Sequence, residues 1–435
     1  MTPLDIGGLV IVTLLVLLAL GTPVAFALGG TALIFLYFFE GPRSMGTAAE
    51  TLYASLNSFE LLAIPMFILM GAAVAHSRAG PDLYEALERW LYRVPGGLLV
   101  SNIGACGIFA ALSGSSPATC AAIGKMGIPE MRKRGYPEGL AAGAIGAGGT
   151  LGILIPPSVT MIVYGIATET SIGRLFAAGI LPGLMIVVLF CAWGIFYSHR
   201  YGQAYRLTGA GYSWRERFVI LPKVLPFLAV VVGVLWTLYG GVATPSEAAG
   251  VGALFCILLV VIIYRVRNPR SLWTVLNTSM RESVMIMMIL GAAGLFSFML
   301  SSLYVTQTLA EMIVALEINR WLLLALINVF LLIAGLFLPP VAVIVMVAPT
   351  LIPIITDIGF DPIWFAVVLT LNMEVGLITP PVGLNLYVLN AIAPDVRLGT
   401  ILWGSLPFAL ILLLGIVILC VFPGIATWLP EVLMG

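Results

Sequence analysis

Gly152-Ile153-Leu154-Ile155-Pro156-Pro157 lies in the middle of a long apolar run, and 224 residues later the chain writes it again as Gly376-Leu377-Ile378-Thr379-Pro380-Pro381. A Pro-Pro pair cannot continue a helix, because proline has no N–H and its ring clashes with the preceding turn. In hydrocarbon the freed backbone groups survive only where protein or a water-filled cavity satisfies them. Each string therefore predicts a broken membrane helix. The correspondence extends outward from the two strings. Pro129 maps to Pro353, Gly135-Tyr136 to Gly359-Phe360, Leu181-Pro182 to Leu406-Pro407 at an offset of 225, and Thr22-Pro23 with Gly30 to Thr244-Pro245 with Gly252 at 222. So small a drift over most of each half marks a duplicated unit, residues 1–218 and 219–435.

Composition makes lipid the main solvent. Of 435 residues, 61% are hydrophobic and 9% charged, where a soluble domain carries roughly a quarter charged. Twenty Lys and Arg balance twenty Asp and Glu, which leaves no basic footprint for nucleic acid. Apolar segments of spanning length fall at 4–20, 24–39, 61–78, 138–168, 174–200, 219–240, 246–264, 283–303, 361–393 and 398–424. The first carries Asp5 rather than a basic lead and lacks a small-residue cleavage pattern, so it reads as a true span. Residues 96–131 and 321–357 are each long enough to enter the membrane and return. Their centres are Ser113-Gly114-Ser115-Ser116-Pro117 and Leu338-Pro339-Pro340, and both read as re-entrant helical hairpins.

With the amino terminus outside, the first hairpin opening inward and the second outward, seventeen basic residues fall inside, Arg206 and Arg267 among them. Only Arg43, Arg174 and Arg320 fall outside. That asymmetry follows the positive-inside rule. The halves are separated by an odd number of crossings and run in opposite directions, which makes them an inverted repeat. The expected fold is thus an all-α polytopic membrane protein with two hairpins and two broken helices. This architecture points to a secondary transporter whose solute and ions bind near the midplane. Pro81 to Val94 has the pattern of an amphipathic helix in the inner interface, with a counterpart around Thr308 to Arg320 in the outer one; such arms link a mobile body to a frame.

Chemistry-bearing residues are few. The first hairpin tip offers the hydroxyls of Ser113, Ser115, Ser116 and Thr119, and the facing break offers Thr150, Ser158 and the carbonyls before Pro156 and Pro157. Hard cations take oxygen ligands, and a broken helix supplies them without a buried carboxylate. Half-helix amino ends at Pro117 and Pro157 direct positive dipoles at an anion. Glu374 is the one acid well inside the membrane, at the position that matches Thr150 in the first half. It can ligate a cation, carry a proton, or hold the broken helix by bonding freed backbone groups. Lys125, in the returning arm of the first hairpin, either attracts an anionic solute or snorkels to the inner surface. Cys106, Cys120, Cys191, Cys256 and Cys420 are scattered singly, and His76 and His199 stand alone, which argues against disulfides and zinc. Gly143-x-x-Gly146-x-Gly148-Gly149 reads as a close-packing surface rather than a nucleotide loop. No G-x-x-x-x-G-K-[ST], H-E-x-x-H or G-x-S-x-G occurs, so neither P-loop hydrolysis nor an intramembrane hydrolase has support, and no organic cofactor is expected.

Ser113-Gly114-Ser115-Ser116-Pro117-Ala118-Thr119, Gly149-Thr150-Leu151-Gly152-Ile153-Leu154-Ile155-Pro156-Pro157-Ser158, Ala178-Gly179-Ile180-Leu181-Pro182-Gly183 and Glu374-Val375-Gly376-Leu377-Ile378-Thr379-Pro380-Pro381-Val382-Gly383 resemble the large membrane subunit of tripartite ATP-independent periplasmic (TRAP) transporters. The resemblance implies an elevator-type importer in a bacterial or archaeal cytoplasmic membrane, driven by a sodium gradient. It also implies a periplasmic binding protein that delivers solute, a separate small four-helix membrane subunit, and an organic acid as cargo: a dicarboxylate, sugar acid, oxo acid or sialic acid. Carried over by motif, it implies one sodium site at Ser113, Gly114, Ser115, Gly152 and Pro156, and a second at Gly335, Gly376, Thr379 and Pro380. Solute is implied between them, near Ser116, Ser158, Thr379 and Asn385. Two other readings stay open on the residues alone: an ion-coupled organic anion symporter that needs no binding protein, and a channel or membrane scaffold.

Overall fold

The computed structural model describes residues 1–201, 212–265, 268–315 and 318–434, so Arg206 and Arg267 lie outside the described residues. Among these the chain is helical, with no strand. The first half runs α1 (Pro3–Ala19), α2 (Val24–Glu40), α3 (Ser44–Leu56), α4 (Ala63–Ala75), α5 (Ala79–Leu91), α6 (Gly97–Ser113), α7 (Ser116–Lys133), α8 (Glu138–Thr150), α9 (Val159–Thr168) and α10 (Ile172–Tyr201). After α11 (Trp214–Val219), the second half runs α12 (Leu221–Tyr239), α13 (Pro245–Ile263), α14 (Pro269–Ser302), α15 (Val305–Ala315), α16 (Arg320–Phe337), α17 (Pro340–Asp357), α18 (Pro362–Leu377), α19 (Leu384–Ile392), α20 (Leu398–Val421) and α21 (Gly424–Met434). Seven of these helices are long and apolar enough to cross a membrane, or eight if α3 and α4, bent by 54°, form one span.

The hairpins and breaks fall where the Gly and Pro signals put them. α6 and α7 meet at Gly114, whose φ of +59° is free of strain only for glycine. α16 and α17 meet at Leu338 and Pro339, both extended. The spans at 138–168 and 361–393 separate into α8 and α9, and into α18 and α19, and the Pro156–Pro157 and Pro380–Pro381 bonds are both cis. Three elements differ from the apolar-segment reading. α3 precedes the span at 61–78; it carries Glu50, Ser55 and two threonines, too polar a face to register as a membrane segment. α14 begins at Pro269, fourteen residues before its apolar stretch, because a helix with good propensity need not stop where hydrocarbon does. The last segment stops at Val421, and after Pro423 a separate α21 starts at Gly424.

Packing interleaves the two halves. α4 lies on α13, and α14 lies on α2, α3 and α4, forming one group with α1 and α12. The second group holds the hairpins and broken helices: α8 packs on α6, α7 and α20; α18 on α16, α20 and α10; α19 on α7. α8 reaches this position through its glycines. A Cβ on Gly143 would lie 2.2 Å from the Gly404 backbone, one on Gly146 3.0 Å from Leu389, one on Gly148 2.8 Å from Cys106 and one on Gly149 2.1 Å from the Cys120 sulfur. The glycine run is therefore a close-packing surface against four helices, α6, α7, α19 and α20. The cysteines are all unpaired.

The amphipathic α5 joins the groups. It buries Leu83 and Tyr84 and packs on α6, α7, α11 and α12. Its buried Asp82 lies 3.7 Å from Lys223 of α12, while Glu88 pairs with Arg134 at the end of the first hairpin. α15, its counterpart, packs instead on α1 and α14. Arg132 bridges Glu138, at 2.6 Å, and Asp395 in the loop after α19. Its hydrogen bond holds the Asp395 carboxyl below the usual aspartate range.

Candidate functional site

The first hairpin tip seats directly on the first break. A Cβ on Gly114 would lie 2.8 Å from the Pro157 carbonyl oxygen, and one on Gly152 2.7 Å from the Ser115 carbonyl. Only glycine allows backbone to approach backbone this closely, which is why both positions carry it. Ser113 Oγ lies 2.8 Å from Thr119 Oγ1 and 3.2 Å from the Ser115 carbonyl oxygen, and Thr119 Oγ1 donates to that carbonyl at 2.9 Å. The structure thus brings Ser113, Gly114, Ser115 and Gly152 together, with Thr119 added to the cluster and Pro156 buried beside it. This is a cluster of uncharged oxygens, the ligand type that hard cations take.

The second pair repeats the arrangement with different residues. A Cβ on Gly376 would lie 2.3 Å from the Gly335 carbonyl oxygen, and the Val382 N–H donates to the Leu336 carbonyl at 3.2 Å. Thr379 Oγ1 donates to the Val375 carbonyl at 2.7 Å, so Gly335, Gly376 and Thr379 lie on one junction. Here Pro380 and Pro381 are both exposed, whereas Pro156 and Pro157 are buried. The two breaks share a backbone pattern and differ in access.

Between them, Asn385 of α19 meets Ser116 of α7 across the repeats. Its Nδ2 lies 2.8 Å from Ser116 Oγ and 3.0 Å from the Gly146 carbonyl, and the Ser116 hydroxyl faces its Oδ1 at 3.1 Å. Ser158 is held apart from this pair: its hydroxyl bonds the Ile153 carbonyl at 2.6 Å and accepts from the Met161 N–H, capping α9. All three are fully buried. Lys125 is exposed on α7 and forms no ion pair among the described residues. No group of three or more His, Cys, Asp and Glu among the described residues is placed to hold a metal.

A family model for the tripartite ATP-independent periplasmic transporter, DctM component, matches residues 11–425. The chain belongs to this family. It is 37% identical over 404 residues to the C4-dicarboxylate TRAP transporter large permease protein DctM of Pseudomonas aeruginosa, covering 93% of each chain. It is 35% identical over 451 residues to the protein of the same name from Rhodobacter capsulatus, covering all of both. Its fold resembles the crystal structure of the Alcanivorax borkumensis YdaH transporter, with a TM-score of 0.64 at 15% identity over 90% of each chain.

Two further features of this DctM chain bear on the site. Asn372 of α18 donates to Asn328 Oδ1 of α16 at 2.6 Å and to the Val368 carbonyl, joining the second hairpin to the second broken helix. Neither asparagine stands in a break motif, and an amide inside an apolar run was the one available signal for them. A cavity of about 1180 Å³ lies between the two helix groups, bounded by α3, α9, α14 and α17, with Ser55, Glu60, Glu169, Ser171, Ser297 and Ser301 on its wall. Ser116, Ser158, Thr379 and Asn385 do not line it.

Proposed function

We propose that this TRAP large permease imports an organic acid into the cell, coupled to inward sodium flow, by rigid movement of the hairpin-containing helix group against the other. The observation that carries this reading is the seating of each hairpin on a broken helix through backbone contacts at Gly114, Gly152 and Gly376. Two such junctions supply two cation sites of neutral oxygens, at Ser113, Gly114, Ser115, Gly152 and Pro156, and at Gly335, Gly376, Thr379 and Pro380. The Ser116–Asn385 bridge is opened by a solute that takes over its hydrogen bonds, with Thr379 turned to it and Ser158 freed from its cap on α9. C4-dicarboxylates are the first cargo to test, because two DctM relatives carry that substrate in their names.

The arrangement in the cell follows the family logic. The amino terminus lies outside a bacterial or archaeal inner membrane, a small membrane subunit packs alongside, and a periplasmic binding protein delivers solute to the outer face. Proteoliposomes holding the chain with its small subunit, supplied with binding protein and a panel of dicarboxylates, sugar acids, oxo acids and sialic acid, test the whole scheme. Accumulation that requires an inward sodium gradient and the binding protein is the expected result. Uptake indifferent to sodium refutes the coupling, and uptake by the chain alone refutes dependence on the binding protein.

A further inference from the structure

Glu374 and Thr150 occupy equivalent places in the two halves, and the structure places them in contact. Thr150 Oγ1 lies 3.4 Å from Glu374 Oε2, and both side chains are fully buried. Two repeat-equivalent residues can touch only near the axis that relates the halves, so this contact marks the axis, two residues before Gly152 on one side and Gly376 on the other. The Thr150 hydroxyl has one hydrogen and a closer acceptor, the Ala147 carbonyl at 2.7 Å. Among the described residues Glu374 Oε1 has no hydrogen-bond partner, and no basic side chain pairs with this carboxyl. The other buried acids among the described residues, Asp82 and Glu88, each have a cationic partner. A carboxylate stripped of water, countercharge and donors is not stable as such; it takes up either a proton or a metal cation.

We propose that Glu374 and the Thr150 hydroxyl, whose hydrogen is spent on the Ala147 carbonyl, form a third sodium site on the repeat axis. Hard-cation ligands at about 2.3–2.6 Å place neighbouring oxygens about 3.3–3.7 Å apart, and the Thr150–Glu374 separation of 3.4 Å fits that edge better than it fits a hydrogen bond. A cation here touches α8 and α18 just before both breaks, so it stiffens both junction sites together and makes sodium binding cooperative. The inference rests on the sodium-coupled reading, and the test separates the two.

Radioactive sodium binding to the purified chain with its small subunit is measured for the wild type, Glu374→Gln and Thr150→Val. Wild type is expected to bind three sodium ions per chain and Glu374→Gln two, with a shallower dependence on concentration. Thr150→Val, close to Thr in size, is expected to weaken one of three sites by at least tenfold and to make the concentration dependence of the other two shallower, which keeps the test usable if Glu374→Gln does not fold. Equal stoichiometry and affinities in wild type and variants overturn the third site while leaving sodium coupling intact. No sodium binding by wild type overturns the coupling itself.

Discussion

Gly152→Ala is the sharpest test of whether the hairpin tip and the broken helix form one site. The added Cβ would sit 2.7 Å from both the Ser115 carbonyl carbon and oxygen and 2.9 Å from the Ser116 nitrogen, where ordinary contact begins near 3.4 Å. Backbone on both sides leaves no flexible side chain to yield, so the tip must retreat by about 0.7 Å. Overpacking of this kind costs about 1–3 kcal/mol. A cation held by oxygens on both partners feels most of that displacement, which converts to a rise of roughly 5- to 150-fold in the sodium concentration for half-maximal uptake. Gly376→Ala meets the Gly335 carbonyl oxygen at 2.3 Å and should act on the second site at least as strongly. Gly30→Ala, with nothing within 4 Å, controls for a helix-interior Gly-to-Ala change elsewhere in the chain. The assay is sodium-dependent uptake in proteoliposomes, with thermal unfolding in detergent to separate folding from binding. A half-saturating sodium concentration in Gly152→Ala within twofold of wild type would refute a cation site spanning this junction.

Thr379→Val removes the hydroxyl that bonds the Val375 carbonyl at nearly constant size; uptake should need about tenfold more sodium, and unchanged sodium activation with normal assembly would remove Thr379 from the ligands. Asn385→Leu strips Ser116 and the Gly146 carbonyl of a buried partner, at about 1–3 kcal/mol for each group left unsatisfied, so both the unfolding midpoint and the apparent solute affinity should fall, and an unchanged midpoint would contradict the bridge. Asp395, held below the usual aspartate range by Arg132, contributes stability that is present above its unfolded pKa and lost as pH falls through its lower folded value. The midpoint gap between wild type and Asp395→Asn should therefore be open at neutral pH and close in acid, below about pH 4.

What could be read from residues alone follows from how local each signal is. A Pro-Pro pair breaks a helix wherever it falls, so both breaks and both tips were visible in the chain, as was the repeat that relates them. Contacts across the repeats were not. Ser116 and Asn385 stand 269 positions apart, and their meeting depends on how α7, α8 and α19 nest around the glycines of α8. The Asn372–Asn328 bond likewise depends on the relative rotation of α16 and α18. α3 escaped notice because its polar face lowers the hydropathy on which spans are read, and the length of α14 escaped because hydropathy measures solvent, not helix. The equivalence of Thr150 and Glu374 was plain in the offset; that both point at the axis was not.

The scarcity of charge bears on why solute and sodium would travel together. Each proposed junction site offers hydroxyls and carbonyls but no carboxylate, so two bound sodium ions leave two positive charges in a low-dielectric body. Moving such a body against lipid is costly, because the desolvation of each unpaired ion amounts to several kcal/mol. An organic dianion placed between the sites cancels that charge, and the same dianion without sodium faces an equal penalty of the opposite sign. Either ligand alone therefore disfavours movement, while the complete load is neutral. Coupling then needs no dedicated gate, since it arises from the requirement that the moving body carry no net charge. A third sodium on Glu374 neutralises that carboxylate in the loaded body, and its release adds one transported positive charge per cycle. On this account two sodium ions carry a dicarboxylate with no net charge movement and a monocarboxylate with one positive charge inward per cycle, and a third sodium released with the load raises each figure by one.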